Sequence, residues 1–285
     1  VLPPYITSEF LRTFTRAALQ EDVGEGDHST LAAIEPSRNS KASLLVKGDG
    51  VLAGVYLAEF IFKEFDANLT IEKFFADGDR VKKGDVALIV TGPARSILTT
   101  ERVVLNCMQR MSGIATKTAN YVKALEGTTT KILDTRKTTP NFRNLEKWAV
   151  KIGGGNNHRL GLFDLIMLKD NHCDMAGGIT QAVHRTKEYL SATGKKLKIE
   201  VETRNLNEVK EVLATKGVDI IMLDNMDIPT MKEAVKMINK QCQTEASGGI
   251  TEDNLREIAM CGVDFISVGA LTHSYQSLDL SLKAF

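Results

Sequence analysis

The chain lacks any long apolar run: no hydrophobic stretch nears the ~18 residues that a membrane-spanning helix needs. Its N-terminus also lacks the basic-then-apolar layout of a secretory signal. There are only four cysteines, Cys107, Cys173, Cys242 and Cys261, and no C-x-x-C pair among them. That scatter argues against a disulfide framework or a cysteine-built zinc site and predicts free thiols in a reducing compartment. Neither sign of charge is in excess, since 36 lysines and arginines face 36 aspartates and glutamates. A neutral chain has no net field to gather nucleic acid or anionic lipid, so neither is expected as a partner. What remains is a soluble, cytoplasmic protein whose 285 residues suffice for one large domain or two medium ones with real cores.

The pattern changes along the chain. Phe10, Phe14, Ala17 and Ala18 recur at helical spacing between Pro3 and Glu25. Strand-like runs follow at Lys41–Lys47 and Leu69–Phe75, with a helical segment at Val55–Phe65 between them. ADGDRVKKGDVALIVTGPARS (Ala76–Ser96) places two Gly-Asp turns around short apolar runs and predicts a β-meander. A periodic stretch from Thr99 to Leu125 predicts a buried helix leading into the second part.

There, short apolar runs end in polar residues: KILD, LIMLK, KIEVE, DIIMLD, TEAS and DFISVG. Helical segments separate the later ones, at Gly178–Leu190, Leu206–Thr215, Pro229–Asn239 and Thr251–Cys261. This rhythm predicts an α/β fold of parallel strands. The countable strands fall short of the eight of a regular (β/α)₈ barrel, so an incomplete or irregular barrel is expected, with its chemistry at the C-terminal strand ends.

One segment, Leu133–His172, gathers Arg136, Lys137, Arg143, Lys147, Lys151, His158, Arg159 and Lys169 around a Gly-Gly-Gly turn. A local cation cluster in a neutral chain suits a multiply charged anion. Arginine grips carboxylate or phosphate through two parallel hydrogen bonds, and lysine supplies a point charge. A single such lysine is most often a solvated surface residue. Arg136, Lys137, His158, Arg159 and Lys169 together, near adjacent strand ends, predict a pocket. Glu202 ends KIEVE, with Glu200 on the same face by the period of two, and Asp224 ends DIIMLD. Carboxylates placed so can hold Mg²⁺, accept from sugar hydroxyls or pair with a lysine. Ser247-Gly248-Gly249 and Gly269-Ala270 follow the last two strands and would expose backbone N–H groups to a phosphate. Cys173 is read as a passive thiol, His184 as surface, Trp148 as core, and His273 as either a pocket residue or a helix start.

DTRKTTP (Asp134–Pro140), NHRLGLFDLIMLKDNH (Asn157–His172), VET (Val201–Thr203), MLDN (Met222–Asn225), EASGGI (Glu245–Ile250) and SVGALTHS (Ser267–Ser274) resemble the quinolinate phosphoribosyltransferase family. EDVGEGDHST (Glu21–Thr30) and TTERVVLN (Thr99–Asn106) extend the resemblance over nearly the whole chain. It implies an N-terminal α/β open-faced sandwich domain, residues 1–105, joined by the C-terminal tail 272–285. A barrel of fewer than eight strands, residues 106–271, would carry catalysis. The implied reaction joins quinolinate to 5-phosphoribosyl 1-diphosphate with loss of CO₂, giving nicotinate mononucleotide and diphosphate for NAD biosynthesis.

The resemblance also implies a homodimer or larger assembly in which Arg102 reaches the partner's site. A cation in the first turn of a helix opposes the macrodipole, and that oddity agrees with such a role. Arg102, Arg136, His158, Arg159 and Lys169 would hold the ring carboxylates, with Thr135 among the substrate-binding residues and Lys137 on the diphosphate side. Glu202 and Asp224 would bind ribose hydroxyls and Mg²⁺, and with Lys137 make up the catalytic group. Ser247, Gly248, Gly249, Gly269 and Ala270 would hold the 5-phosphate. Three other readings compete. A barrel aldolase would use Lys137 or Lys169 as a Schiff base. FADGDRVKKGDVALIVTG resembles a carrier-domain hairpin, without a carrier's central lysine-bearing turn. A nicotinate phosphoribosyltransferase would handle a monocarboxylate.

Overall fold

The structure, a computed structural model, describes residues 2–285. Its elements run α1 (Ser8–Val23), α2 (His28–Ala33), β1 (Asn39–Val46), β2 (Gly50–Val51), α3 (Val55–Phe65), β3 (Thr70–Lys73), β4 (Arg80–Val81), β5 (Val86–Pro93) and α4 (Ala94–Ala124). β6 (Lys131–Leu133), α5 (Arg143–Ile152), β7 (Ile166–Leu168), α6 (Asp170–Ala176), α7 (Ile179–Thr193), β8 (Ile199–Thr203), α8 (Leu206–Thr215) and β9 (Ile220–Asp224) follow. The chain closes with α9 (Ile228–Ile238), β10 (Gln243–Ser247), α10 (Glu252–Ala259), β11 (Phe265–Ser267), α11 (Ala270–His273) and β12 (Leu280–Ala284).

Two compact units form. One holds the chain up to Ala119 with Thr139–Gly154 and Ser274–Phe285; the other holds Asn120–Thr138 and Gly155–His273. The expected division between residues 105 and 106 falls inside α4, which starts in the first unit and ends in the second.

The first unit is built on an antiparallel sheet ordered β12-β1-β5-β3. β1 alternates, burying Ala42, Leu44 and Val46 while the residues between them stay more open, as a half-solvated sheet requires. Leu57, Ile61 and Phe62 of α3 and Met108 and Met111 of α4 are buried in the same unit. The meander expected at Ala76–Ser96 is not what forms. β4 pairs with β2 in a separate two-stranded sheet, while β5 inserts between β1 and β3. Turn residues set where the chain reverses; the choice of pairing partner is made by tertiary packing. α1 also differs in detail, since its buried stripe is Leu11, Thr15 and Leu19 and Ala17 is exposed.

The second unit carries a six-stranded parallel sheet ordered β6-β11-β10-β9-β8-β7, matching the six expected strands. β6 and β7 share no ladder, so the sheet stops short of the regular eight-stranded barrel. Helices α7 to α10 intervene between successive strands, and the last three begin at a defined cap: Asn205 and Asp227 accept early backbone N–H groups of α8 and α9, and Thr251 with Asn254 forms a capping box on α10. Trp148, in α5 of the first unit, is core, 4% exposed and edge-on to Tyr56.

Candidate active site

A cavity of about 770 Å³ opens at the C-terminal edge of the parallel sheet. Its lining has two layers, set by the two-residue repeat of a strand. Lys169, Asp224, Ser247 and Gly269 stand at or just beyond the strand ends, and Met167, Met222, Glu245 and Ser267 lie two residues before each of them. The outer layer was legible as the polar close of each apolar run. The inner layer was not, although the same repeat points to it.

The segment Leu133–His172 divides between the units. Arg136, Lys137, His158, Arg159 and Lys169 line the cavity. Arg143, Lys147 and Lys151 belong instead to α5, in the first unit, and do not line it. The Gly-Gly-Gly turn ends that helix. Gly154 takes φ +89°, and a Cβ on Gly153 would stand 2.4 Å from the Ala115 carbonyl oxygen, so the glycine permits close approach of α4.

The cavity cations fall into two kinds. Lys169 Nζ is paired with Glu202 Oε2 at 3.0 Å, and His158 Nε2 lies 3.0 Å from Glu200 and 3.4 Å from Glu245. Among the described residues, Arg136, Lys137 and Arg159 have no carboxylate within ion-pair distance. Arg159 reaches only the Leu165 carbonyl at 3.4 Å and Met167 Sδ at 3.5 Å. Burial, and then the charge of Arg136, pull its pKa down from the usual arginine value. Two like charges held near each other in a concave site make a place for an anion.

Asp134 closes β6 fully buried and anchors the next stretch: it accepts from the Asn157 amide at 2.6 Å and from the His158 backbone N–H at 2.9 Å. The Arg159 backbone N–H then donates to His158 Nδ1 at 2.7 Å. Burial alone would lower the imidazole pKa, but Glu200 and Glu245 outweigh it and push it up to about 10. Glu200 is itself pushed up, by burial first and then by Glu245. Thr135 is also in place at the wall, its hydroxyl accepting the Lys137 backbone N–H at 3.0 Å.

Asp224 ends β9 and accepts from the Asn225 side-chain amide at 2.7 Å. Asn225, at φ +52°, folds that amide into the space beside Gly248, where a Cβ would stand 2.1 Å from Asn225 Oδ1. Gly248 itself has φ +90° and Gly249 φ +61°, so the turn is one that glycine adopts without strain. Among the described residues no backbone carbonyl takes the N–H of either glycine. The second turn is crowded in a similar way. A Cβ on Gly269 would stand 3.0 Å from the Lys137 side chain and 3.1 Å from His273 Nε2, so His273 is a pocket residue at the end of α11. Ser247, Gly249 and Ala270 complete the two turns.

Arg102 alone among the expected site residues does not line the cavity. It is exposed, and because α4 begins at Ala94 it lies well beyond the first turn, where Arg95 stands instead. Arg102 therefore does not oppose the dipole at the start of α4. The four cysteines are free, and burial raises the pKa of Cys173 to about 11 and of Cys107 to about 12, which leaves no thiolate nucleophile there at neutral pH. His184 is exposed on α7. Asn225, Glu245, Ile250 and the three inner residues Met167, Met222 and Ser267 are cavity-lining side chains that sequence reasoning missed.

A strand-end cavity with uncommitted arginines, carboxylates and open glycine turns is built to hold phosphorylated polyanions, which places the chain among the α/β enzymes of phosphate-ester and diphosphate chemistry. Comparison with known proteins narrows this. The profile of the quinolinate phosphoribosyl transferase C-terminal domain matches residues 114–283, and that of its N-terminal domain matches residues 27–112. The chain is 47% identical, over 298 aligned positions, to the chloroplastic nicotinate-nucleotide pyrophosphorylase [carboxylating] of Oryza sativa, covering 99% of this chain and 80% of that one. It is 43% identical to the probable enzyme of the same name from Bacillus subtilis, covering 92% and 89%. The crystal structure of NadC from Streptococcus pyogenes superposes with a TM-score of 0.92 at 43% identity, covering 98% and 97%. The chain belongs to the quinolinate phosphoribosyltransferase family.

Proposed function

We propose that this cavity is where quinolinate and 5-phosphoribosyl 1-diphosphate are joined, in the family's reaction, to give nicotinate mononucleotide, diphosphate and CO₂. The observation that carries the site assignment is the trio Arg136, Lys137 and Arg159, uncommitted cations facing the same cavity as Glu202, Asp224 and two glycine turns. Both substrates are polyanions. Arg136 and Arg159, with Lys169 beside them, take the ring carboxylates, His158 holds the backbone from which Arg159 reaches, and Lys137 stands on the diphosphate side. Ser247, Gly248, Gly249, Gly269 and Ala270 receive the 5-phosphate.

The pyridine nitrogen attacks with a lone pair that is already free, so no general base is required. Positioning of that nitrogen against the anomeric carbon, and cations facing the departing diphosphate, lower the barrier. Glu202 and Asp224 accept from the ribose hydroxyls and face the positive charge that develops on the sugar. Once the ring nitrogen is ribosylated, its positive charge stabilises the electron pair left on the adjacent ring carbon as the carboxylate there departs as CO₂, and that carbon then takes a proton from water.

Glu202 and Asp224 also fit Mg²⁺. They offer only carboxylate oxygen, the donor that a hard dication prefers, and two such ligands beside substrate oxygens and water are its usual setting. When bound it supplies charge neutralisation to the diphosphate. A homodimer, in which Arg102 completes the partner's site, is supported by the exposure of Arg102 and its absence from the cavity lining of its own chain. Leu162 and Phe163, beside the His158–Arg159 pair in sequence, are 71% and 69% exposed and offer apolar surface for such contact. Residence in the cytoplasm is supported by the four free thiols. Among the described residues no helix is long and apolar enough to cross a membrane.

The activity is tested by CO₂ release. With 5-phosphoribosyl 1-diphosphate present, the protein should release CO₂ from carboxyl-labelled quinolinate and form nicotinate mononucleotide, and should not accept nicotinate in its place. The shared site is tested by mixing inactive Arg102→Ala and Lys137→Ala proteins under conditions of subunit exchange. Regained activity, approaching a quarter of wild type if one intact site forms in each mixed dimer, is the expected result; none, with exchange verified, removes the dimeric site.

A further inference from the structure

We propose that Glu200 and Glu245 are positioning residues for quinolinate, acting through His158 to fix the backbone that aims Arg159 into the cavity. The carboxylates come from β8 and β10, which flank β9 in the sheet, and converge on one imidazole nitrogen from both sides. Both glutamates are fully buried, and among the described residues their four carboxylate oxygens have no conventional hydrogen bond. Their compensation is the contact with His158 Nε2, at 3.0 and 3.4 Å.

Burying two carboxylates is costly unless they are well compensated, and apolar side chains of similar volume generally fill such space with less penalty. Met167 and Met222, in the same inner layer, show that apolar side chains suit this depth. The structure assigns the charge a task at its other end. The ring held by Glu200 and Glu245 takes the Arg159 backbone N–H on Nδ1, so both imidazole nitrogens are engaged. Arg159 has only two long contacts of its own along its side chain, and its direction is therefore set largely from the backbone. The chain there lies outside any strand, held before Arg159 by Asp134 at the His158 N–H and after it by Asp164 at the Leu160 and Gly161 N–H groups, so the His158 ring is the contact on Arg159's own N–H. A rotation of the imidazole would carry Arg159 with it, and a misplacement of about 1 Å at a reacting geometry costs rate out of proportion to its size.

The inference rests on the reading that Arg159 takes a quinolinate carboxylate, and the test separates the two. Glu200→Gln and Glu245→Gln keep shape and remove charge. Each should raise KM for quinolinate about 10-fold while KM for 5-phosphoribosyl 1-diphosphate stays within about twofold. In a His158→Asn background the same substitutions should change the quinolinate KM by less than about twofold, because residues acting through a shared partner are non-additive. An unchanged quinolinate KM, a parallel rise for both substrates, or effects that multiply in the double variants would each overturn the proposal. Arg159→Ala is measured alongside. If it leaves the quinolinate KM unaltered, the underlying assignment fails; if it raises that KM while the glutamate variants are silent, only the positioning role fails. Should one glutamine variant not fold, the other runs the same cycle, and failure of both to fold overturns a role confined to positioning.

Discussion

Strands β1 and β8 obey opposite rules. β1 buries every second residue, and its polar positions, such as Lys41, lie toward solvent. β8 is buried at all five positions and yet two of them are glutamates, Glu200 and Glu202. In a strand closed on both faces, an ionisable side chain has no solvent to retreat to, so its presence must be answered by a partner or a task. β1 is organised for stability and β8 for chemistry.

The largest test of that contrast lies in β1. Leu44 is fully buried, registered between Leu282 and Leu88, and Leu44→Ala should lower unfolding free energy by about 3 kcal/mol in denaturant melts. The KM for quinolinate of the protein that remains folded should not move; a raised KM would mean that β1 also shapes the quinolinate site. Next is Arg136→Ala at the other sheet. It should reduce kcat/KM for quinolinate by about 30- to 100-fold, the loss of a charge-assisted pair worth about 2–3 kcal/mol, with little change in Tm. Lys151→Ala, an equally basic neighbour in sequence but exposed on α5, should stay within about twofold of wild type, and a large loss there would undo the division of the cation segment.

The smaller of the two effects on stability belongs to α2. Asp27 caps α2 by accepting from the Thr30 backbone N–H at 3.0 Å, and Asp27→Ala should cost about 1 kcal/mol near neutral pH. Its pKa is held below the usual 3.8, chiefly by the Thr30 hydroxyl and backbone N–H. A depressed carboxylate pKa gives stability that is present above the unfolded value and lost as pH falls through the folded one. The gap between wild type and variant should therefore narrow below about pH 3.8, and a gap that stayed constant in acid melts would deny Asp27 its charged role.

How far the sequence was legible follows the same contrast. Apolar runs closing in Lys169, Asp224 and Ser247 announced the parallel strands, because strand-end chemistry is local to each run. The inner layer escaped because it needs the same repeat applied once more toward the strand interior: Glu245 stands two before Ser247 as Glu200 stands two before Glu202. α5 was hidden although Arg143, Lys147 and Lys151 are spaced by four, the interval of one helix face, because three cations at that spacing suit a binding cluster as well as a helix face. The pairing of β4 with β2 and the start of α4 at Ala94 depend on tertiary partners, and no local signal fixes them.

The contact between Asn225 and Gly248 has an evolutionary consequence. Two positions that occupy one volume cannot drift separately: a methyl at 248 has to wait for a smaller neighbour at 225, and a smaller neighbour releases Asp224 from its amide. The Asp224 carboxylate and the Gly248 turn are thus inherited together. On the proposed reading, a lineage that relaxed either would have to rebuild its grip on both ends of the ribose at once.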